Sequence, residues 1–370
     1  MTRPWRAAPP SPRLSVLDGV LRTVAPALSA VHPSLTEGVF GPRPQNARGV
    51  SLDPVIHLLV GIEGSTTGPK ETPAQMRHNM RRGIRLIERG RQPIHSLVET
   101  VVAGDLPVRV YRPSGARDLP WMMFLHGGGW ATGDLDSHDR ICRRLAVEGE
   151  LVVAAVDYRL APEHPFPAAV DDVERAWTAL SKVISRFGGV PHRGSVGGDS
   201  AGGNLSAVLC QRIRDGHCDG PPPVMQLLIY PVIDFRQLDA SQREFAEGFL
   251  LTADGIDTYK ALYAAPDTDP RASPILHPDL SGLPPAVVVT AGFDPLRDEA
   301  ERYVHALRAA GSPAGWLEGP GLVHGFVQMM QVVPAADALV QRFVAVTREV
   351  ARTGVVPVSL ARAEPPCGSL

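Results

Sequence analysis

From about residue 96 the chain alternates between short β-branched or apolar runs and longer segments of helical periodicity. The short runs fall at 97–103, 107–112, 121–125, 151–156, 194–198, 225–230, 286–291 and 314–318. Leu151–Val156 is apolar throughout and Ala286–Thr290 nearly so, as strands covered on both faces must be. Apolar residues recur at helical spacing over 137–148, 168–186, 201–214, 254–264, 296–310 and 334–352. Strands that alternate with helices predict the α/β class: an open, mostly parallel eight-stranded sheet with helices on both faces. Only Gly104-Asp105-Leu106 separates the first two runs, which predicts an antiparallel hairpin at the sheet edge. No internal repeat is present.

Upstream the pattern differs. Residues 1–36 carry Leu14, Leu17, Val20, Leu21, Val24 and Leu28 at helical spacing, with four arginines and a single acid, Asp18. Asp18 and Arg22 interrupt the apolar stretch that a secretory signal needs, so an amphipathic helix is expected. Residues 40–50 have the composition of a linker. Helical periodicity returns at 52–62 and 72–91, on either side of a turn at 64–69. The basic face of the second segment is that of a solvated helix. The expected organisation is a Pro-rich extension over 1–50, a helical segment over 51–95, an α/β domain over 96–353 and a tail over 354–370.

Composition narrows the function classes. Hydrophobic residues make up 44% of the 370, too many for a disordered chain. Lys and Arg number 37 against 39 Asp and Glu, a net charge of −2 that lacks the basic excess of a nucleic-acid binder. No apolar run is long enough to span a membrane. The four cysteines, Cys142, Cys210, Cys218 and Cys367, show neither Cys-x-x-Cys nor zinc-ligand spacing, which suits reduced thiols in a cytoplasmic protein. Gly64–Lys70 is a P-loop only in outline, and Gly127–Gly133 lacks the final glycine of a dinucleotide loop.

Glycine and proline each number 36, and glycine is unevenly spread. Four fall between Gly127 and Gly133 and seven between Gly188 and Gly203. In open α/β sheets the chemistry sits beyond the carboxyl ends of the strands, and both clusters are placed there. The first follows the 121–125 strand as His126-Gly127-Gly128-Gly129-Trp130, a backbone able to turn several N–H groups to one point. The second, Gly198-Asp199-Ser200-Ala201-Gly202-Gly203, lies between a strand and a helix and fits a nucleophile elbow with Ser200 at its apex.

A serine hydroxyl needs a base, and the base needs an orienting carboxylate. In this topology they follow in the order Ser, acid, His. Asp294 lies in the loop after the 286–291 strand and His324 in the loop after 314–318. Asp298 stands inside the next helix; Glu299 and Glu318 are the other carboxylates nearby. His126 is suited to bracing its own loop, and Asp199 approaches from the wrong side to orient His324.

Taken together, His126–Gly129, Asp157-Tyr158-Arg159-Leu160-Ala161-Pro162-Glu163, Phe166–Ala169, Gly198–Gly203, Tyr230-Pro231, Asp294–Asp298 and His324-Gly325-Phe326 resemble the hormone-sensitive-lipase-like esterases. These are the bacterial family IV group of the α/β-hydrolases, here in the Gly-Asp-Ser-Ala-Gly subgroup. The resemblance covers about residues 95–350. It implies an α/β-hydrolase fold with a helical cap, built from about 52–92 and from a segment near 240–280. It implies a Ser200, His324 and Asp294 triad, oxyanion donors from Gly128, Gly129 and Ala201, and a bracing role for Asp157–Glu163. The expected activity is hydrolysis of small or short-acyl carboxylic esters through an acyl-enzyme, with no metal or cofactor. Leu250, Leu251 and Phe326 are candidate pocket walls. Amide or lactone hydrolysis would use the same groups. A non-catalytic receptor on this scaffold is the contrasting class, and the retained histidine argues against it. The partner expected is a small-molecule ester; a homodimer is left open.

Overall fold

The computed structural model describes residues 32–63, 71–236 and 239–362. The amphipathic stripe expected over Leu14–Leu28, the 64–69 turn and Cys367 lie outside the described residues.

Among the described residues, the α-helices in chain order are α1 Pro33–Phe40, α2 Pro54–Glu63, α3 Pro73–Leu86, α4 Asp139–Val147, α5 Ala168–Val183 and α6 Ala201–Arg214. They continue with α7 Ala240–Glu244, α8 Ala253–Tyr263, α9 Arg297–Ala309, α10 Pro334–Thr353 and α11 Val358–Ala361. The strands are β1 Ser96–Val102, β2 Leu106–Arg112, β3 Leu119–Leu125, β4 Val152–Val156, β5 Gly189–Asp199, β6 Gln226–Ile229, β7 Ala286–Phe293 and β8 Ala314–Val323. They form one sheet in the order β1-β2-β4-β3-β5-β6-β7-β8. β1 and β2 are the expected antiparallel edge hairpin; β2 pairs antiparallel with β4, and every later pairing is parallel.

The two faces separate along β3 with the period of a strand. Trp121, Met123 and Leu125 enter one core with residues of α5, α6 and α9, whereas Met122 and Phe124 enter the other with α4 and α10. Trp121 stacks on Trp177 of α5 at 4.9 Å between ring centroids. Helices therefore cover both faces, and β3 is buried from residue 120 onward.

Register brings the site together. Leu125 pairs with Val156 on one side and Gly198 on the other, while Ile229 pairs with Asp199 and Val289. The carboxyl ends of β3 through β7 are thus level, and the loops after them emerge side by side.

Two boundaries depart from the periodicity. Helix α3 ends at Leu86 rather than near residue 91, because the Gln331 side chain takes over the backbone groups of Arg89 and Gly90. Strand β8 runs to Val323, through glycines that suggest a loop; Ala291 pairs with Gly319 but Phe293 with Val323, so the ladder skips between them.

Residues 41–53 lie against the carboxyl ends of β7 and β8. Asn46 closes a turn by accepting from the Arg48 and Val50 N–H groups, Leu52 is fully buried, and the Asp53 N–H donates to the Gly321 carbonyl at 3.0 Å.

Candidate active site

Ser200 stands between β5 and α6 at φ 53°, ψ −119°, a conformation that costs a non-glycine residue on the order of 1–3 kcal/mol. The surroundings impose it. The Ser200 N–H donates to the Ile229 carbonyl, and its own carbonyl accepts from Asn204. A Cβ on Gly202 would lie 1.9 Å from the Leu125 carbonyl oxygen, so the helix after the serine packs at backbone contact on β3.

Asp294 follows β7 and is fully buried; its Oδ1 accepts from the Leu296 N–H at 2.8 Å. His324 follows β8. Its Nδ1 lies 2.8 Å from Asp294 Oδ2, and its Nε2 lies 3.0 Å from Ser200 Oγ. An unbroken hydrogen-bonded chain therefore links three side chains that are 94 and 30 residues apart in sequence. The Nδ1–H faces the carboxylate, which leaves the Nε2 lone pair toward the hydroxyl.

The other carboxylates are engaged elsewhere. Asp298 pairs with Arg297 and accepts from the Ser241 N–H. Glu299 accepts from the Ile233 and Asp234 N–H groups. Glu318 is bound by Arg48.

The glycine loop is built as a rigid floor. Gly128 adopts φ +112°, and its carbonyl accepts from the Ala131 and Thr132 N–H groups and from the Thr132 hydroxyl. The Gly127 N–H donates to Asp199 Oδ1 at 2.9 Å, joining the loop to the residue before the serine. His138 Nε2 lies 3.1 Å from the same oxygen. Burial opposes charge on Asp199, yet His138 and the Gly127 N–H together hold its carboxyl below the ordinary aspartate range. Burial, with His138 beside it, pushes the His126 imidazole down to about 4, so the ring is neutral; its Nδ1 bonds the Gly127 carbonyl. The Tyr158 ring stacks on His126 at 4.4 Å, and its hydroxyl donates to the His126 carbonyl at 2.6 Å. The Ala161 N–H donates to the Trp130 carbonyl. Residues of the 157–163 segment thus hold the loop from behind.

A cavity of about 810 Å³ opens over these groups, lined by Ser200, His324, Gly128 and Gly129. Ala201, directly behind the serine, is fully buried and is not a wall. Met76 and Met80, one helical turn apart on α3, line the cavity, as do Leu250 and Leu251. Phe326, the third wall candidate, belongs to the core instead. It begins the turn after His324-Gly325 and packs edge-on against Tyr230 at 5.1 Å.

Several participants carried no sequence signal. His138 is an ordinary helix-start residue until the fold brings it to Asp199. Tyr259 of α8 lies so close to Gly129 that a Cβ there would touch its ring. Arg77 of α3 donates to the Ala131 and Ala161 carbonyls and to Glu163, reaching the back of the loop from 50 residues upstream or more.

A profile of the alpha/beta hydrolase fold family matches residues 122–328. The chain belongs to this family, in its hormone-sensitive-lipase-like branch. It is 49% identical over 237 residues to the carboxylic ester hydrolase LipN of Mycobacterium tuberculosis, covering 62% of this chain and 63% of that protein, less than two thirds of its length. It is 46% identical over 243 residues to the carboxylesterase NlhH of the same species, covering 63% and 74%. A hyperthermophilic esterase from Pyrobaculum calidifontis superposes with a TM-score of 0.77 at 34% identity, covering 82% of this chain and 99% of that one.

Proposed function

We propose that the protein is a carboxylic ester hydrolase working through an acyl-enzyme. Ser200 Oγ attacks the ester carbonyl carbon while His324 Nε2 takes the hydroxyl proton. Asp294 holds the imidazole in the required tautomer and stabilises its cation. The N–H groups of Gly128, Gly129 and Ala201 receive the oxyanion; the last opens a helix, where the dipole favours negative charge. His324 then protonates the departing alcohol, and water repeats the sequence to release the acid.

The observation that carries this reading is the Asp294–His324–Ser200 chain, with bonds of 2.8 and 3.0 Å, opening into a cavity. The LipN and NlhH names supply the reaction class. A cavity of about 810 Å³ bounded by Met76, Met80, Leu250 and Leu251 suits a small ester or a short acyl chain. The same proposal takes the enzyme to be cytoplasmic; no helix among the described residues is long and apolar enough to cross a membrane.

The test is a chromogenic ester series from two to sixteen acyl carbons, with Ser200→Ala and a fluorophosphonate label alongside. Turnover is expected to peak at short chains. Ser200→Ala should lose roughly 10³-fold or more in kcat, together with the label. Near-normal turnover by that variant would remove Ser200 from the mechanism. A long-chain optimum would overturn the substrate class, and faster cleavage of matched anilides would make the enzyme an amidase.

A further inference from the structure

Asp294 and His324 lie just beyond the ends of β7 and β8, immediately after a register shift in the ladder between the two strands. Three residues of β7, Ala291 to Phe293, stand against five of β8, Gly319 to Val323. The ladder breaks after Ala291–Gly319 and resumes at Phe293–Val323, one residue before the acid and one before the base, with its register shifted by two residues. The N-terminal segment makes contacts at this gap. Asn46 Nδ2 donates to the Gly292 carbonyl at 3.2 Å, beside Arg297 Nη1 at 3.0 Å. Arg48 binds Glu301 of α9 through both terminal nitrogens, at 2.9 and 2.7 Å, and Glu318 of β8 at 3.0 Å. One guanidinium therefore joins the helix after Asp294 to the strand before His324. The Asp53 N–H completes the attachment at the Gly321 carbonyl, three residues before His324.

These contacts are built rather than incidental. Asn46 is 5% exposed although it lies in an apparent linker. Its Oδ1 is occupied by the turn it closes, so the Gly292 bond uses the amide's remaining polar atom. Burial pushes the Glu301 carboxyl up to about 7 even with Arg48 against it, which marks the pocket as poorly solvated. In such a place a planar fork that meets two carboxylates has geometric consequences that a surface pair lacks.

We infer that Asn46 and Arg48 are positioning residues that set the separation of Asp294 and His324, so that the segment before α2 is part of the catalytic apparatus without touching substrate. This rests on the triad reading above. Displacements of about 1 Å can cost on the order of 100-fold in rate, so a loosened acid–base spacing should act on kcat.

The test uses the full chain, with kcat expressed per fluorophosphonate-titrated site. Arg48→Ala should lower kcat by about tenfold and leave KM within about twofold, because cavity contacts are untouched. Arg48→Lys, a cation without the fork, should fall between that variant and the wild type. Asn46→Asp keeps the acceptor that closes the turn and removes the donor to Gly292; a smaller kcat loss at unchanged KM is expected. Should Arg48→Ala fail to fold, Asn46→Asp decides. Wild-type kcat per titrated site in these variants would overturn the inference and leave the segment a stabilising strap. A wild-type protein that neither turns over esters nor takes the label would instead overturn the catalytic reading, and this inference with it.

Discussion

The floor of the cavity and its α3 wall are held by different physics. The floor is a cluster of buried groups: His126, His138, Asp199, Ser200 and Asn204 are each no more than 8% exposed. Asn204 alone donates to the Val232 and Ala272 carbonyls from inside α6. Helix α3 has no buried residue. It is attached through Arg77 to two carbonyls and Glu163, and through Arg81 to Asp134 at 2.6 Å. Removing one partner from the floor strands a buried polar group, at about 1–3 kcal/mol, whereas exposed ion pairs are worth about 0–1 kcal/mol. The proposed reacting groups are thus fixed tightly, and the α3 wall of the cavity is fixed loosely. Under the proposed function, substrate preference is expected to change at α3 with the chemistry intact.

The sharpest way to break that contrast is Gly202→Ala. Its methyl would sit 1.9 Å from the Leu125 carbonyl oxygen, a backbone atom that cannot rotate away. A cost of about 3 kcal/mol or more is expected, read in denaturant melts, together with loss of fluorophosphonate labelling. An ordinary melt with full activity would mean that the elbow is as forgiving as the wall.

Arg77→Ala tests the other side. It removes the bonds to the Ala131 and Ala161 carbonyls and to Glu163. KM should rise by about three- to tenfold with kcat changed less than about twofold. A kcat collapse would show that the wall also organises the floor.

The Arg77–Glu163 pair adds a pH signature. The Arg77 hydrogen bonds hold the Glu163 carboxyl down at about 2, from an ordinary 4.5. A depressed folded value contributes stability above 4.5 that is lost as pH falls toward 2. The melting difference between wild type and Glu163→Gln should therefore be small at neutral pH and vanish on acidification.

The smallest effect is expected at Asp157, behind the glycine loop. Burial, then Asp134, push its carboxyl up from 3.8 to about 6. A raised carboxyl disfavours the folded state once ionised, so its contribution is lost as pH rises from 3.8 through 6. Asp157→Asn should raise the melting temperature by a few degrees at pH 8, with the gain shrinking toward pH 4. A gain independent of pH would assign the effect to packing.

The parts legible in sequence were those in which one constraint dominates. Strands buried on both faces cannot be polar, so β4 and β7 announced themselves. Tight backbone approach excludes a Cβ, so the glycine clusters marked the floor. Ser200, Asp294 and His324 were identified because each follows a strand in a required order, and the structure brings these three side chains into one hydrogen-bonded chain. Phe326 could not be assigned to core or cavity, since an apolar side chain after a loop looks the same in either place. The 40–50 segment looked like a linker because Asn46 and Arg48 are polar, and polar residues look solvated until their partners, more than 240 residues away, are known.

Sequence by itself therefore determined the sheet and the order of the loops that carry Ser200, Asp294 and His324. These follow from local periodicity and from positions where glycine alone fits. Tertiary structure decided that His138 faces Asp199, that Met76 and Met80 line one cavity with Leu250 and Leu251, and that Arg48 joins α9 to β8. Each of those depends on the distance and burial of groups far apart in the chain. Electrostatic and packing energies are set by these, and residue type alone does not encode them.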